Sequence, residues 1–219
     1  MKSELEIKVG ELKTTAALDR VEKGKARGVF VCAHGAGGNM NDRAMLDLSE
    51  LYRSLGFHVV RFNFFYRARG SGGPDPMPRL TACFEEVVKK TRQEVKAGEV
   101  IIGGRSMGGR AASMMAAEGF DCDRLLLLAY PLHPPGQPEK LRDEHLAKIK
   151  VPTLCFNGTR DSFCTPEIMK RVVSKLGKNF TMHWIEGADH GFKVPKSSGR
   201  TYADVLEEVK ESSRSWLGC

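Results

Sequence analysis

The sequence predicts an α/β fold with a mostly parallel central sheet and helices on both faces. Short apolar runs alternate with longer amphipathic segments along the 219 residues, which is the order expected when each parallel strand is followed by a crossover helix. Several runs, such as residues 28–33 and 125–129, are apolar throughout, as strands buried on both faces are. A chain of this length readily forms one core, so we expect a single domain over residues 1–219.

Each element follows from its local pattern. Residues 3–9 alternate polar and apolar side chains, which predicts a half-exposed edge strand. Further strands are predicted at residues 12–18, 28–33, 57–62, 100–103, 125–129, 152–156 and 180–185. Helical spacing predicts helices at residues 42–55, 80–96, 107–117, 141–149, 166–176 and 202–216. Residues 63–78 and 130–137 are rich in Arg, Gly or Pro and are predicted to be loops.

Composition excludes several classes of protein. The net charge is +7, but basic and acidic residues are interspersed, so we expect a solvated basic surface and no nucleic-acid partner. The sequence has neither an apolar stretch long enough to cross a membrane nor a secretion signal, and no membrane association is expected. The six cysteines form no C-x-x-C pair, which indicates reduced thiols in a cytoplasmic protein. No metal or other cofactor is expected, because no His or Cys spacing fits a zinc site.

A serine stands between a predicted strand and a predicted helix. The segment Gly104-Arg105-Ser106-Met107-Gly108 has the G-x-S-x-G pattern of a strained turn that exposes a nucleophilic serine. Glycine is needed two residues before and after Ser106, because side chains there would meet the neighbouring strand and helix. Ser106 is therefore the candidate nucleophile. The backbone N–H of Met107, at a helix N-terminus, is a candidate oxyanion donor.

A second glycine-rich turn follows residues 28–33 and consists of His34-Gly35-Ala36-Gly37-Gly38. Beside a nucleophilic serine, such a loop supplies the second oxyanion donor, which here is expected to be the N–H of Ala36. We expect His34, Gly35 and Gly37 to line the substrate site, with His34 as a structural hydrogen bonder rather than a base. A phosphate-binding loop is the alternative, although the sequence patterns of nucleotide sites are absent.

Two further strand ends carry a candidate acid and a candidate base. Asp161 follows the predicted strand 152–156, and His190 follows strand 180–185. Together with Ser106 they stand in the chain order Ser, Asp, His. In such a set the histidine takes the serine proton, while the aspartate fixes the tautomer of the histidine and stabilises its imidazolium form. A turn or helix-capping role is the alternative for Asp161.

Three other side chains are candidates for contact with substrate. Arg105 beside the nucleophile and nearby Arg61 favour an anionic substrate, unless they pair with carboxylates of the core. His133 lies in the proline-rich loop after the predicted strand 125–129. Two roles stay open for it: lining the acyl or leaving-group pocket, or belonging to a rigid loop.

Several short motifs carry a resemblance to a known family. They are His34-Gly35-Ala36-Gly37, Arg61-Phe62-Asn63-Phe64, Gly103-Gly104-Arg105-Ser106-Met107-Gly108, Tyr130-Pro131-Leu132-His133-Pro134, Leu141-Arg142-Asp143 and Ala188-Asp189-His190. Through them the chain resembles the α/β-hydrolase-like group of testis-expressed protein thirty, the third subunit of the NSL histone-acetyltransferase complex, and small bacterial hydrolases. The resemblance implies an eight-stranded α/β-hydrolase fold related to dienelactone hydrolases, with Ser106, Asp161 and His190 as a catalytic triad. Residues 65–72 depart from the bacterial members.

Two functions are therefore considered. The first is a serine hydrolase (a carboxylesterase or thioesterase) that cleaves a small acyl substrate through an acyl-enzyme on Ser106. The short segment between the predicted strands 125–129 and 152–156 leaves no room for a lid domain, so an open site is expected. The second is a catalytically silent binding module or scaffold subunit on the same fold. A homodimer is left open in either case.

Overall fold

Eight strands form a single sheet in the computed structural model, which describes residues 2–22, 24–96 and 98–219. The strands are β1 (Lys2–Val9), β2 (Leu12–Asp19), β3 (Gly28–Ala33), β4 (Phe57–Phe62), β5 (Glu99–Arg105), β6 (Arg124–Leu128), β7 (Thr153–Gly158) and β8 (Phe180–Ile185). Their order across the sheet is β1-β2-β4-β3-β5-β6-β7-β8. β2 pairs antiparallel with β1 and with β4, and the pairs from β4 across to β8 are parallel. The predicted mostly parallel sheet is confirmed.

Helices cover both faces of this sheet. They are α1 (Arg43–Ser54), α2 (Phe65–Ala68), α3 (Met77–Glu94), α4 (Met107–Ala117), α5 (Pro166–Val173) and α6 (Tyr202–Leu217). α1 and α6 pack on one face, where Tyr52 and Val209 belong to one apolar cluster. α3, α4 and α5 pack on the other face, where Phe84 and Met169 belong to the second cluster. Each large apolar side chain buried in these layers contributes about 1.5–3 kcal/mol relative to exposure.

Two segments differ from the predicted elements. The predicted loop 63–78 contains the short helix α2, and α3 already begins at Met77. The predicted helix at residues 141–149 is wrong, because that segment consists of turns with one 3₁₀ turn. There the Arg142 N–H donates to the Leu132 carbonyl over 2.8 Å, and the Tyr130 hydroxyl donates to the Arg142 carbonyl over 2.5 Å. These tertiary hydrogen bonds outweigh the weak local preference for a helix.

Parallel pairing brings the functional loops to one edge of the sheet. β3, β5, β7 and β8 all end there, and the register pairs Ala33 at the end of β3 with Gly104 near the end of β5. The turn after β3, the turn after β5 and the loops after β7 and β8 therefore meet at the same edge, which is where ligands bind in sheets of this kind.

Ala33 shapes the turn between β5 and α4 by close contact. A Cβ on Gly104, whose φ is +155°, would lie 2.3 Å from the Ala33 carbonyl oxygen, and a Cβ on Gly108 would lie 2.5 Å from the same atom. Closely packed atoms do not approach to such distances. Glycine at both positions therefore lets β5 and the start of α4 lie directly against the end of β3.

Candidate active site

Ser106 occupies the turn between β5 and α4. Its backbone has φ +51° and ψ −117°, a combination that costs energy for any residue other than glycine. The Ser106 N–H donates to the Leu128 carbonyl over 2.8 Å, and the Ser106 carbonyl accepts from the Arg110 N–H over 3.0 Å. Bonds to β6 and to α4 thus hold this strained turn in place and fix the position of the hydroxyl at the carboxyl edge of the sheet.

The Ser106 hydroxyl belongs to a chain of three hydrogen-bonded side chains. Ser106 Oγ lies 2.9 Å from Nε2 of His190. The other ring nitrogen, Nδ1, lies 2.8 Å and 3.0 Å from the two carboxylate oxygens of Asp161. Because an ionised carboxylate only accepts hydrogen bonds, this partner places the ring proton on Nδ1 and leaves Nε2 free to accept a proton from serine. The structure thus brings together three residues that lie on separate loops.

Asp161 is buried and has two further donors. The Asn157 side chain donates from Nδ2 to Oδ2 over 3.1 Å, and the Phe163 N–H donates to Oδ1 over 2.8 Å. The Phe163 ring also lies 4.3 Å from the ring of His190, measured between centroids. These contacts fix both ends of the acid–base pair. The sequence analysis missed Asn157, although a lone amide near the end of the mainly apolar strand β7 was a usable signal.

The turn after β3 lies directly beside the serine. A Cβ on Gly35 would lie 3.5 Å from Cβ of Ser106, which is van der Waals contact. The Gly35 carbonyl accepts hydrogen bonds from His34 Nδ1 over 2.7 Å and from the Gly38 N–H over 3.0 Å. Because the carbonyl and the next N–H of a trans peptide point in opposite directions, the Ala36 N–H points away from these donors. Within the described ranges, neither this N–H nor that of Met107 has an acceptor.

His34 is a buried structural residue of this turn. Its Nε2 accepts a hydrogen bond from the Phe64 N–H over 3.3 Å, so the proton is on Nδ1, which donates to the Gly35 carbonyl. Burial lowers the pKa of His34 below its ordinary value of 6.5, which keeps the ring neutral and preserves this tautomer. The expectation that His34 bonds the loop rather than acting as a base agrees with these contacts.

A cleft of about 380 Å³ opens at Ser106. Its lining consists of His34, Gly35, Ala36, Gly37, Gly38, Asp42, Ala44, Met45, Arg105, Ser106, Phe163 and His190. Arg105 carries the one guanidinium group in this lining, which contains no lysine. Arg105 Nη2 donates to the His190 carbonyl over 2.8 Å, and the guanidinium lies 5.8 Å from the centre of the Phe192 ring. Arg105 therefore supports the loop after β8 and faces the cleft.

Two predicted contact residues are placed elsewhere. His133 is buried outside the lining of the cleft, where its Nε2 accepts from the Thr165 N–H over 3.2 Å and lies 2.9 Å from the Thr165 hydroxyl. It connects its loop to the start of α5, which corresponds to the rigid-loop role. Arg61 is 1 % exposed and pairs with Asp19 over 2.7 Å. An interior ion pair thus occupies Arg61, and the anionic preference that it suggested is withdrawn for this residue.

Two further properties concern the described part of the chain. No group of three or more His, Cys, Asp or Glu side chains there is arranged to hold a metal ion. None of the helices in that part is both long and apolar enough to cross a membrane.

The positions of these groups define the class of protein. A sheet of this order, with a serine on the glycine-flanked turn after β5 and with its aspartate and histidine after β7 and β8, has the α/β-hydrolase fold. The sequence profile of the alpha/beta hydrolase domain family matches residues 26–218. The chain belongs to this family.

Solved structures share the fold over almost their whole length. A lid-less α/β serine hydrolase from Xanthomonas campestris has a TM-score of 0.77 at 20% identity, covering 98% of this chain and 94% of that one. Dienelactone hydrolase from Anabaena variabilis has a TM-score of 0.75 at 19% identity, covering 99% and 96%. Est1E from Butyrivibrio proteoclasticus, solved with ferulic acid bound, has a TM-score of 0.78 at 18% identity, covering 98% and 100%. These likenesses confirm the predicted fold.

Proposed function

We propose that this protein is a serine hydrolase that cleaves carboxylic ester or thioester bonds of small substrates through an acyl-enzyme on Ser106. The observation that carries the proposal is the hydrogen-bonded chain from Ser106 Oγ through His190 to Asp161, with distances of 2.9 Å and 2.8 Å. A serine hydroxyl is a weak nucleophile unless an adjacent base takes its proton, and this geometry places that base in contact with it.

Each group has one role in the proposed reaction. Ser106 Oγ attacks the substrate carbonyl carbon while its proton passes to His190 Nε2. The resulting oxyanion accepts hydrogen bonds from the N–H groups of Ala36 and Met107, each worth roughly 3 kcal/mol by precedent. The bond to the leaving alcohol or thiol then breaks, and His190 returns the proton to that leaving group. Water repeats the sequence to release the acid, while Asp161 stabilises the imidazolium form of His190.

The shape and charge of the cleft support a class of substrate. The rim includes Ala44 in the first turn of α1 and Phe163 in the loop after β7. The short connection between β6 and β7 leaves no room for a lid domain, which favours small or exposed acyl groups. Asp42 uses its two oxygens on the Asn39 N–H and side-chain amide, over 2.8 Å and 2.6 Å, so its carboxylate is engaged within its own turn. Arg105 has no carboxylate partner among the described residues. A substrate with a second, anionic group is therefore favoured.

Active-site labelling tests the proposal. A fluorophosphonate probe should modify wild-type protein at Ser106, and 4-nitrophenyl acetate should give a burst of nitrophenolate equal to the concentration of labelled sites. Ser106→Ala should lose both signals. Ser113→Ala is a matched control, because it removes a buried hydroxyl from the same helix, α4, away from the cleft. Wild-type protein without an adduct, or an adduct on Ser106→Ala, would overturn the proposal.

The alternative is a catalytically silent scaffold, as the resemblance to the group of testis-expressed protein thirty and the NSL subunit suggests. A scaffold has no use for a strained serine whose hydroxyl contacts a correctly protonated histidine, and this argues for the enzyme. Capture of a stoichiometric partner, combined with no turnover on a panel of acyl esters and thioesters, would favour the scaffold instead.

A further inference from the structure

The side chains of α2 contact the glycine-rich turn after β3 from the side of its carbonyl groups. The Tyr66 hydroxyl donates to the Ala36 carbonyl over 2.7 Å. Arg67 donates from Nε to the Gly38 carbonyl over 2.7 Å and from Nη2 to the Gly37 carbonyl. Three successive carbonyl groups of this turn thus accept hydrogen bonds from two neighbouring side chains of one short helix.

Holding the carbonyl groups also fixes the direction of the N–H groups. Each trans peptide is a rigid plane in which the carbonyl and the following N–H point in opposite directions. The Ala36 carbonyl shares its peptide with the N–H of Gly37, so the hydrogen bond from Tyr66 to this carbonyl also orients the Gly37 N–H. Glycines flank Ala36 on both sides, and glycine has little conformational preference of its own. Without an outside support, the turn would sample orientations in which its N–H groups no longer face the cleft.

The surroundings of Tyr66 keep its hydroxyl protonated, so it remains a hydrogen-bond donor. The side chain is completely buried, and its ring lies 6.4 Å from the Phe64 ring and 6.0 Å from the His34 ring, between centroids. Burial raises the pKa of Tyr66 to about 12, so the phenol keeps its proton at physiological pH. The Arg67 guanidinium lies 5.8 Å from the centre of the Tyr66 ring, a distance at which a cation and an aromatic face attract each other.

We infer that Tyr66 and Arg67 are positioning residues for the oxyanion site, and that α2 acts as a clamp on the turn at residues 35–38. This inference rests on the proposed function. Arg67 holds the peptide between Gly37 and Gly38, whose N–H donates to the Gly35 carbonyl over 3.0 Å. That carbonyl shares its peptide with the Ala36 N–H, so the clamp acts on this oxyanion donor through the Gly35 carbonyl. Neither side chain lines the cleft, so both act through the turn. Removal of a clamp contact should raise the energy of the transition state more than that of the bound substrate.

Tyr66→Phe tests the clamp with a matched control. It removes one hydroxyl and keeps the ring, whereas Tyr52→Phe removes an equally buried hydroxyl that lies 2.8 Å from Ser213 Oγ in another layer of the fold. Turnover is measured per active site titrated with the fluorophosphonate, which corrects for unfolded protein. Tyr66→Phe should lower kcat about 10-fold with KM changed less than about twofold, while Tyr52→Phe should keep the wild-type kcat.

A transition-state analogue separates positioning from general damage. A trifluoromethyl ketone adds to Ser106 and forms an oxyanion, so its inhibition constant should rise about as much as kcat falls, while inhibition by the product acid should not change. Arg67→Gln should show the same pattern, and Arg67→Lys should recover part of the loss. If Tyr66→Phe and Arg67→Gln had the same kcat and the same affinity for the analogue as Tyr52→Phe, the inference would be overturned. The proposed function would remain intact. A wild-type chain without an adduct at Ser106 would overturn both.

Discussion

Asn157 donates a hydrogen bond from Nδ2 to Asp161 Oδ2 over 3.1 Å, and the same amide bridges the backbone of Tyr130. Its Oδ1 accepts from the Tyr130 N–H over 3.1 Å, and its Nδ2 donates to the Tyr130 carbonyl over 3.1 Å. One buried side chain at the end of β7 thus connects the proposed acid to the loop after β6. The orientation of His190 depends on Asp161, so it depends indirectly on this amide.

Asn157→Ala should lower both stability and turnover. The substitution leaves the buried Tyr130 N–H unpaired, while the Tyr130 carbonyl keeps its hydrogen bond from the Leu132 N–H over 3.1 Å. The free energy of unfolding should therefore fall by about 1–3 kcal/mol. Asp161 loses a donor, and kcat per titrated site should fall roughly 10-fold. Urea denaturation and active-site titration measure the two effects.

Asn179→Ala is the control for this prediction. Asn179 also bridges two backbone carbonyls, those of Ile149 and Val151, over 2.9 Å and 3.1 Å, but it precedes β8 at the opposite edge of the sheet. We expect a loss of stability without a loss of kcat. Equal kcat values for Asn157→Ala and Asn179→Ala would contradict a positioning role for Asn157.

Arg105→Met should change the preference for charged substrates. The variant is compared with wild type by kcat/KM on the 4-nitrophenyl monoester of adipic acid, which carries a carboxylate, and on the neutral hexanoic ester. Loss of the contact with the His190 carbonyl lowers both values, so the ratio of the two isolates the effect of charge. Because a hydrogen bond to a charged group contributes about 1.5–3 kcal/mol, the ratio should fall about 10-fold, and Arg105→Lys should restore part of it. An unchanged ratio would leave Arg105 as a support of the His190 loop only.

Gly104→Ala should prevent normal folding of the turn around Ser106. The new Cβ would lie 2.3 Å from the Ala33 carbonyl oxygen, and overlap with rigid backbone cannot be relieved by a side-chain movement. We expect the free energy of unfolding to fall by more than about 3 kcal/mol, measured by denaturant titration. Gly73→Ala is the matched control, since a Cβ there meets no heavy atom within 4 Å, and it should have wild-type stability. Wild-type stability of Gly104→Ala would show that the contact between β3 and the turn is not tight.

His145→Gln should flatten the dependence of stability on pH. Burial and the nearby Arg110 lower the pKa of His145 from 6.5 to about 4 in the folded chain, whereas the unfolded chain has the ordinary value. Between these values the unfolded state takes up a proton that the folded state does not, so stability falls as pH decreases from 6.5 toward 4. Urea midpoints at pH values across this window should fall less in His145→Gln. His34 and His58 also have lowered pKa values, but they are common to both proteins. Parallel curves would contradict the prediction.

The parts of the site that follow from strand ends could be predicted from the sequence. Ser106, Asp161 and His190 each lie in the turn or loop that follows a predicted strand, and parallel strands must end at one edge. Their convergence therefore follows from the order of the elements. Side chains that act through tertiary contacts could not be found in this way. Tyr66 lies in a segment rich in Arg and Gly, where a four-residue helix gives no periodic signal.

One prediction that was wrong and one that was left open both depend on contacts that local patterns do not contain. Residues 141–149 show helical spacing, but the backbone of Arg142 forms hydrogen bonds with the Tyr130 hydroxyl and the Leu132 carbonyl, which lie earlier in the same connection between β6 and β7. For His133 the pocket role and the rigid-loop role were both left open, and its ring lies 2.9 Å from the hydroxyl of Thr165, thirty-two residues further along the chain. In both segments tertiary hydrogen bonds determine the structure, and local sequence patterns do not predict such bonds.

The contact of Gly104 and Gly108 with Ala33 has a consequence for changing the substrate range. Ala33 immediately precedes the turn that carries Ala36, so the spacing of the nucleophile and the oxyanion donors is determined by three main-chain segments in contact. A rim residue such as Ala44 contributes its side chain to the cleft but takes no part in that contact. A designer can therefore vary the rim to admit other acyl groups while the reacting atoms keep their separation.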